Sequence, residues 1–303
     1  VAAGGYSEFG WDQTSKSPVT PLPPEHPRAE EATDSDPQSA SSSPLTIAEH
    51  TQHVCDELED LLTVLQSMSL VADWADPLRQ AARWHDVGKA HEAFQHGMRT
   101  ANPALADDEA TGKLWAKSGV KTRLKHGRKH FRHELASALI ALQHDFPFAV
   151  AYLIAAHHGR VRLSIRAMPG EPEKSTLPDD ELPTPETLFA LGVYDGDELP
   201  EVNLGGGSGN ATNPTATNPT GTISAATKLD LSPMQMGGDT SWTARALNLL
   251  EELGPFRLAY LEALLRVADC RASKKESETG DREATNRALP IRVAASRHTK
   301  FDP

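Results

Sequence analysis

The sequence predicts an all-α fold, with one helical domain over residues 45–275 that follows a linker and carries a long flexible insertion. Three observations predict it. Apolar residues recur at helical spacing in stretches that open on capping residues and close on glycine. No alternating apolar–polar pattern of useful strand length appears. Pro-, Ser- and Gly-rich stretches collect outside the helical ones.

Residues 1–44 are rich in Pro, Ser and acids, as in Pro21-Leu22-Pro23-Pro24 and Ser41-Ser42-Ser43-Pro44, and read as a linker. A chain that opens on such a linker without Met reads as a piece of something longer. Thr46-Ile47-Ala48-Glu49 is a capping box with Leu45 as its staple, and His50, Val54, Leu58, Leu61 and Leu65 then share one helical face. Asp76-Pro77 supplies an N-cap and a first-turn proline for a second helix through Leu78, Ala81 and Ala82 to Trp84, ended by Gly88. A third helix is expected over about 131–144. A fourth, 148–158, is nearly all apolar and therefore buried, with Gly159 closing it. Two more follow over 241–253 and 255–272. Between them, 166–240 contains Gly205-Gly206-Gly207-Ser208-Gly209 and the near-repeat Ala211-Thr212-Asn213-Pro214, Ala216-Thr217-Asn218-Pro219, and reads as a flexible insertion outside the core. Residues 276–303 read as a polar C-terminal tail.

Composition narrows the function classes. An apolar fraction of 38% is low for a globular chain and fits long polar stretches around one core. No window has the length and apolarity of a membrane span, and no secretory leader opens the chain. Cys55 and Cys270 are far apart and read as reduced thiols, so the expected location is cytoplasmic, with no membrane partner. The net charge of −12 argues against a broad nucleic-acid surface. Lys121, Arg123, Lys125, Arg128, Lys129 and Arg132, however, form a run of six cations without an acid. That run reads either as a solvated loop or as a phosphate-tracking rim. Trp84 and Trp115 read as core residues before base-stacking ones.

The thirteen histidines are more informative. His85-Asp86 ends one helix and His157-His158 another. His50 lies in the first turns of the first helix, His133 begins a helix, and Asp269 lies late in the last. Packing the apolar faces of these helices would bring their polar ends around one cavity. Imidazole and carboxylate are normal ligands of first-row divalent metals, and a pair of such ions clamps the attacking and leaving oxygens of a phosphodiester. A His-Asp dipeptide alone is a weak signal. His144-Asp145 is a second copy, preceding Phe146-Pro147, and reads as a surface turn. Order and spacing taken together carry the reading.

His85-Asp86-Val87-Gly88-Lys89 resembles the HD-x-G-K signature of the HD phosphohydrolase superfamily. With Ile47-Ala48-Glu49-His50, Arg132-His133-Glu134, Ala156-His157-His158-Gly159 and Ala268-Asp269-Cys270-Arg271-Ala272-Ser273, the chain is similar to the HD nuclease domain of the CRISPR-associated helicase-nuclease of type I systems. The resemblance covers roughly 45–165 and 240–275. Gly4-Gly5-Tyr6 and Gly10-Trp11-Asp12 look like the end of a helicase portion. The resemblance implies an HD-domain helical bundle and a two-metal nuclease acting on single-stranded DNA. The strand would be fed by the helicase portion of the same polypeptide after displacement by an RNA-guided surveillance complex, in antiviral defence.

It also implies site roles. One ion would be held by His50, His85, Asp86 and Asp269, the other by Asp86, His133, His157 and His158, with Asp86 bridging. Lys89 would face the scissile phosphate, and Ser273 would touch substrate. Spacing alone does not choose among His126, His130 and His133; Glu134 and Ser137, which match the family, select His133. Arg128, Lys129 and Arg132 would contribute to the phosphate rim. The two ions could be Mn, Fe, Co, Ni or Zn. The insertion before Asp269, and Cys270 where many relatives have an aromatic, depart from the family. Two other readings remain: an HD phosphohydrolase acting on nucleotides, and a non-catalytic HD docking module.

Overall fold

A computed structural model of the chain describes residues 5–7, 10–12, 43–106, 112–122, 124–168, 171, 175–177, 180–206 and 222–288. The chain divides into two units, Val1–Ser35 and Asp36–Pro303. In the first, β1 (Gly5–Ser7) pairs antiparallel with β2 (Gly10–Asp12), so the expected linker contains a short hairpin. The rest of 1–42 lies outside the described residues.

The second unit is mostly helical. β3 (Pro44–Thr46) leads into α1 (Ile47–Leu65), whose capping box is formed as the sequence predicts: Thr46 Oγ1 accepts from the Glu49 amide and the Glu49 carboxylate accepts from the Thr46 amide. α2 (Ser69–Trp84) starts seven residues before Asp76, so Pro77 lies inside the helix. An interior proline costs about 3 kcal/mol. Burial of Val71, with Leu70 and Trp74 packed against the core ahead of Leu78 and Ala81, offsets that cost and extends the helix backwards. A 3-10 turn (Val87–Ala90) and α3 (Glu92–Ala101) follow, then β4 (Trp115–Ser118), which pairs antiparallel with β3.

α4 (His133–Gln143) and α5 (Phe148–Ala156) pack together, and α5 is buried from Val150 to Ala156. Asp145, in the second His-Asp pair, takes φ 59° in the exposed turn between them, as expected. α6 (Trp242–Leu253) precedes α7 (Pro255–Ala288), which packs across α1 and α2. α7 continues well past 272, so the first part of the expected tail is helix; residues 289–303 lie outside the description. Trp84 and Trp115 are both buried and unavailable for base stacking.

The stretch 166–240 departs from its expectation. Its described residues form antiparallel ribbons: β5 (Phe189–Ala190) with β6 (Val193–Tyr194), β7 (Glu198–Leu199) with β10 (Thr227–Lys228), and β8 (Val202–Asn203) with β9 (Ile223–Ser224). Val193, Leu199, Val202, Leu204, Leu229 and Leu231 are buried in the main core, so these residues are core and not a loose insertion. The Gly/Asn/Thr/Pro segment at 207–221 lies outside the described residues.

Candidate metal centre

Gly88 sets the site's geometry. A Cβ there would run into the His133 carbonyl and lie 2.7 Å from the Ser137 amide nitrogen. Only glycine lets the 3-10 turn press against the start of α4, where the Gly88 amide donates to Ser137 Oγ at 2.8 Å. That contact holds Asp86 beside His133.

The seven predicted ligands then converge. His50 Nε2 lies 3.4 Å from Asp86 Oδ2 and 3.3 Å from Asp269 Oδ1. His85 Nε2 is 3.4 Å from Asp86 Oδ2. The other Asp86 oxygen, Oδ1, faces His133 Nε2 at 3.3 Å. His133 and His158 bring their Nε2 atoms to 3.2 Å, and the His157 ring packs against those of His85 and His133. Two groups, His50–His85–Asp86 and His133–His157–His158, each gather their ligand atoms within 4.8 Å and could hold a metal ion.

The donor set fits a metal. His85 Nδ1–H donates to the Ala82 carbonyl at 2.8 Å and His157 Nδ1–H to the Ile154 carbonyl at 2.5 Å. His50 Nδ1 meets both oxygens of Glu276, at 2.8 and 3.1 Å. In each ring the proton is held on Nδ1, so Nε2 presents a lone pair inward. His50, His85 and His157 Nε2 and Asp86 Oδ1 are buried without an aligned hydrogen-bond partner, while Asp86 Oδ2 has the Lys89 ammonium at 2.8 Å. Buried groups of that kind are costly unless something takes the lone pairs. Two donors at about 2.1 Å from a shared ion stand roughly 3.0–3.4 Å apart for octahedral to tetrahedral angles. The 3.2–3.4 Å separations match that range.

Electrostatics agree with the geometry. Burial would raise the Asp86 carboxyl, but His85, Lys89 and the nearby His133 imidazole outweigh it and hold the group well below the carboxylate range. Asp269 behaves alike: burial is overcome by His50, His85 and Lys117. Burial, reinforced by His158, His85 and His133, drives His157 well below 6.5, leaving it neutral. His85 runs the other way: burial lowers it, but Asp86 beside Nε2 outweighs burial and raises it, so a bound ion would have to displace a proton there.

The remaining predicted residues divide. Lys89 is buried with Nζ 2.8 Å from Asp86 Oδ2, inside the site. Ser273 Oγ accepts from Lys117 Nζ at 3.0 Å and donates to Asp269 Oδ1 at 3.3 Å. Arg128 is not on a rim: it is buried, forked onto Asp180 and Asp197, and stacked 3.8 Å from the Tyr194 ring. Two carboxylates and an aromatic face hold it in the core, which corrects its assignment as a substrate contact. Lys129 is exposed in a turn, and Arg132 is half-buried at the N-cap of α4.

Sequence reasoning missed Glu276, Lys117 and a role for Glu134. Glu276 lies seven residues, two helical turns, beyond Asp269, and that spacing was a usable signal. Burial opposes its ionisation, yet hydrogen bonds from His50 and His53 bring it down to about 2. Glu134 is fully buried, with Oε2 3.7 Å from His133 Nδ1. Lys117, a lone lysine in a four-residue strand, carried no sequence signal.

No family model, curated protein or solved structure matches the chain. No described helix is long and apolar enough to cross a membrane.

Proposed function

We propose that this chain is a divalent-metal-dependent nuclease of the HD type that hydrolyses single-stranded DNA, the strand displaced in type I CRISPR interference. It would act with a helicase portion of the same polypeptide and an RNA-guided surveillance complex. The observation that supports the reading best is Asp86: its two oxygens face separate imidazole groups, as a carboxylate shared by two ions must.

His50, His85, Asp86 and Asp269 would hold one ion, and Asp86, His133, His157 and His158 the other. When bound, two such ions (Mn, Fe, Co, Ni or Zn) supply Lewis acidity and water of lowered pKa for in-line attack on phosphorus. The chain's own part is orientation and charge. Asp86 and Asp269 stay ionised, and the Nδ1 hydrogen bonds of His50, His85 and His157 fix which nitrogen points inward. Lys89 places an ammonium beside Asp86, where it can neutralise charge gathering on a phosphate. Ser273, held between Lys117 and Asp269, offers a hydroxyl next to the same wall.

The test is cleavage of labelled single-stranded DNA by metal-stripped protein after adding single metals, with duplex DNA and Asp86→Ala as controls. Metal-dependent cutting lost in Asp86→Ala supports the nuclease. Binding of two ions without cutting favours a nucleotide substrate, and failure to bind any ion favours a docking module.

A further inference from the structure

With Arg128 in the core, the cations that stand beside the metal centre are different ones. Residues 159–168 carry Arg160, Arg162 and Arg166 with no acid, directly after His157-His158, in a chain of net charge −12. Val161 and Ile165 are buried and anchor this stretch, and Trp242 Nε1–H donates to the Arg162 carbonyl at 2.6 Å. Arg162 between these anchors, and Arg160 and Arg166 on either side of them, are exposed. At Gly159 a fourth joins them. Its Cβ position lies 3.6 Å from Arg162 Nη2 and 3.7 Å from Arg266 Nη1, so two guanidiniums from separate segments flank the same backbone position one residue beyond His158. Arg266 lies on α7 three residues before Asp269, about one helical turn away. Arg162 shares its charge with Glu262 at 2.8 Å. Arg160, Arg166 and Arg266 have no acidic partner among the described residues.

Arginines gathered on a pinned loop and a neighbouring helix, only one of them matched by a carboxylate among the described residues, leave a net positive surface suited to an anion. We propose that Arg162 and Arg266 form a phosphate-binding site that seats the strand's backbone next to the metal centre, with Arg160 beside it. The ligand class is a phosphodiester backbone, gripped without regard to base sequence. This inference rests on the nuclease reading.

The experiment measures binding of labelled oligothymidine to metal-stripped protein across a salt series, for wild type, Arg266→Gln and the Arg162→Gln/Arg266→Gln double variant. Each guanidinium paired with a phosphate contributes about 0.7 to the slope of log affinity against log salt for a single strand. The slope should therefore fall by about 0.7 in the single variant and ~1.4 in the double. KM for cleavage should rise several-fold, while manganese affinity stays at the wild-type value. Arg162 also braces Glu262; if the double variant fails to fold, Arg266→Gln, exposed and unpaired, carries the test. Unchanged slopes in a protein whose wild type cuts single strands overturn the phosphate site alone. A wild type that neither binds nor cuts single strands overturns the nuclease reading, and this site with it.

Discussion

Replacing Glu276 by Gln isolates the group that orients His50. The amide can still accept from His50 Nδ1–H, but the negative charge that favours this tautomer is gone. Loss of such an outer partner typically weakens metal binding 10–100-fold, or about 1.4–2.7 kcal/mol. Glu276→Ala, which removes the acceptor too, should fall at or beyond the upper end. The assay is competition for manganese or zinc against a chromophoric chelator, with folding checked by circular dichroism. Glu276 also has a metal-free signature. A carboxyl held at about 2 against an ordinary 4.5 corresponds to roughly 3 kcal/mol of folded-state stability. Because the folded value is depressed, that stability is present above pH 4.5 and is lost as the pH falls towards about 2. Glu276→Gln should therefore flatten the acid limb of a stability–pH profile in chelator. Wild-type metal affinity in Glu276→Gln, with an unchanged acid limb, would refute the role assigned to it.

Three further outcomes follow from other contacts. Metal at 100 times its dissociation constant should stabilise the protein by about 2.7 kcal/mol, read as a rise in Tm that chelator reverses and Asp86→Ala abolishes. Arg128→Ala takes the guanidinium from the buried carboxylate of Asp180 and leaves Asp197 to His91 and the Tyr194 amide; it should cost about 3–5 kcal/mol in urea denaturation, while leaving the salt slope for DNA binding unchanged. Gly88→Ala forces a methyl into the backbone of α4 and should cost about 1–3 kcal/mol, with a loss of metal affinity as Asp86 moves from His133; full retention of both would count against the close-contact account.

Four of the candidate ligands were legible from a local sign: His157 and His158 as paired histidines at the end of an apolar helix, and His85 and Asp86 as a His-Asp pair followed by a glycine. Their convergence was legible only as the sum of those signs. The apolar periodicity stops near Ala272, and that places the expected helix end ahead of Glu276. Helix-forming residues such as Lys274, Lys275 and Glu276 carry the helix onward. Arg128 misled because a run of cations in sequence says nothing of what lies opposite. Its two partners, Asp180 and Asp197, are more than fifty residues away. The ribbons of 180–206 and 222–231 escaped notice for a related reason. Single buried residues such as Val193, Leu199 and Leu229 among turn-formers leave no period to detect.

One device recurs in the site and explains why Glu276 is needed. The last carbonyls of a helix lack intrahelical donors. His85 and His157 stand just past the ends of α2 and α5, and each donates Nδ1–H to the carbonyl three residues back. That single bond satisfies a helix end and turns Nε2 towards the cavity. His50 lies in the first turns of α1, where the nearby carbonyls already belong to the helix, so the same solution is closed to it. An acceptor must come from another element. α7 supplies it on the face that carries Asp269, so that Asp269 meets Nε2 and Glu276 meets Nδ1 of one imidazole, two helical turns apart. The extension of α7 past the last predicted ligand thus belongs to the candidate site, because without it the Nδ1 edge of His50 would lose its carboxylate acceptor.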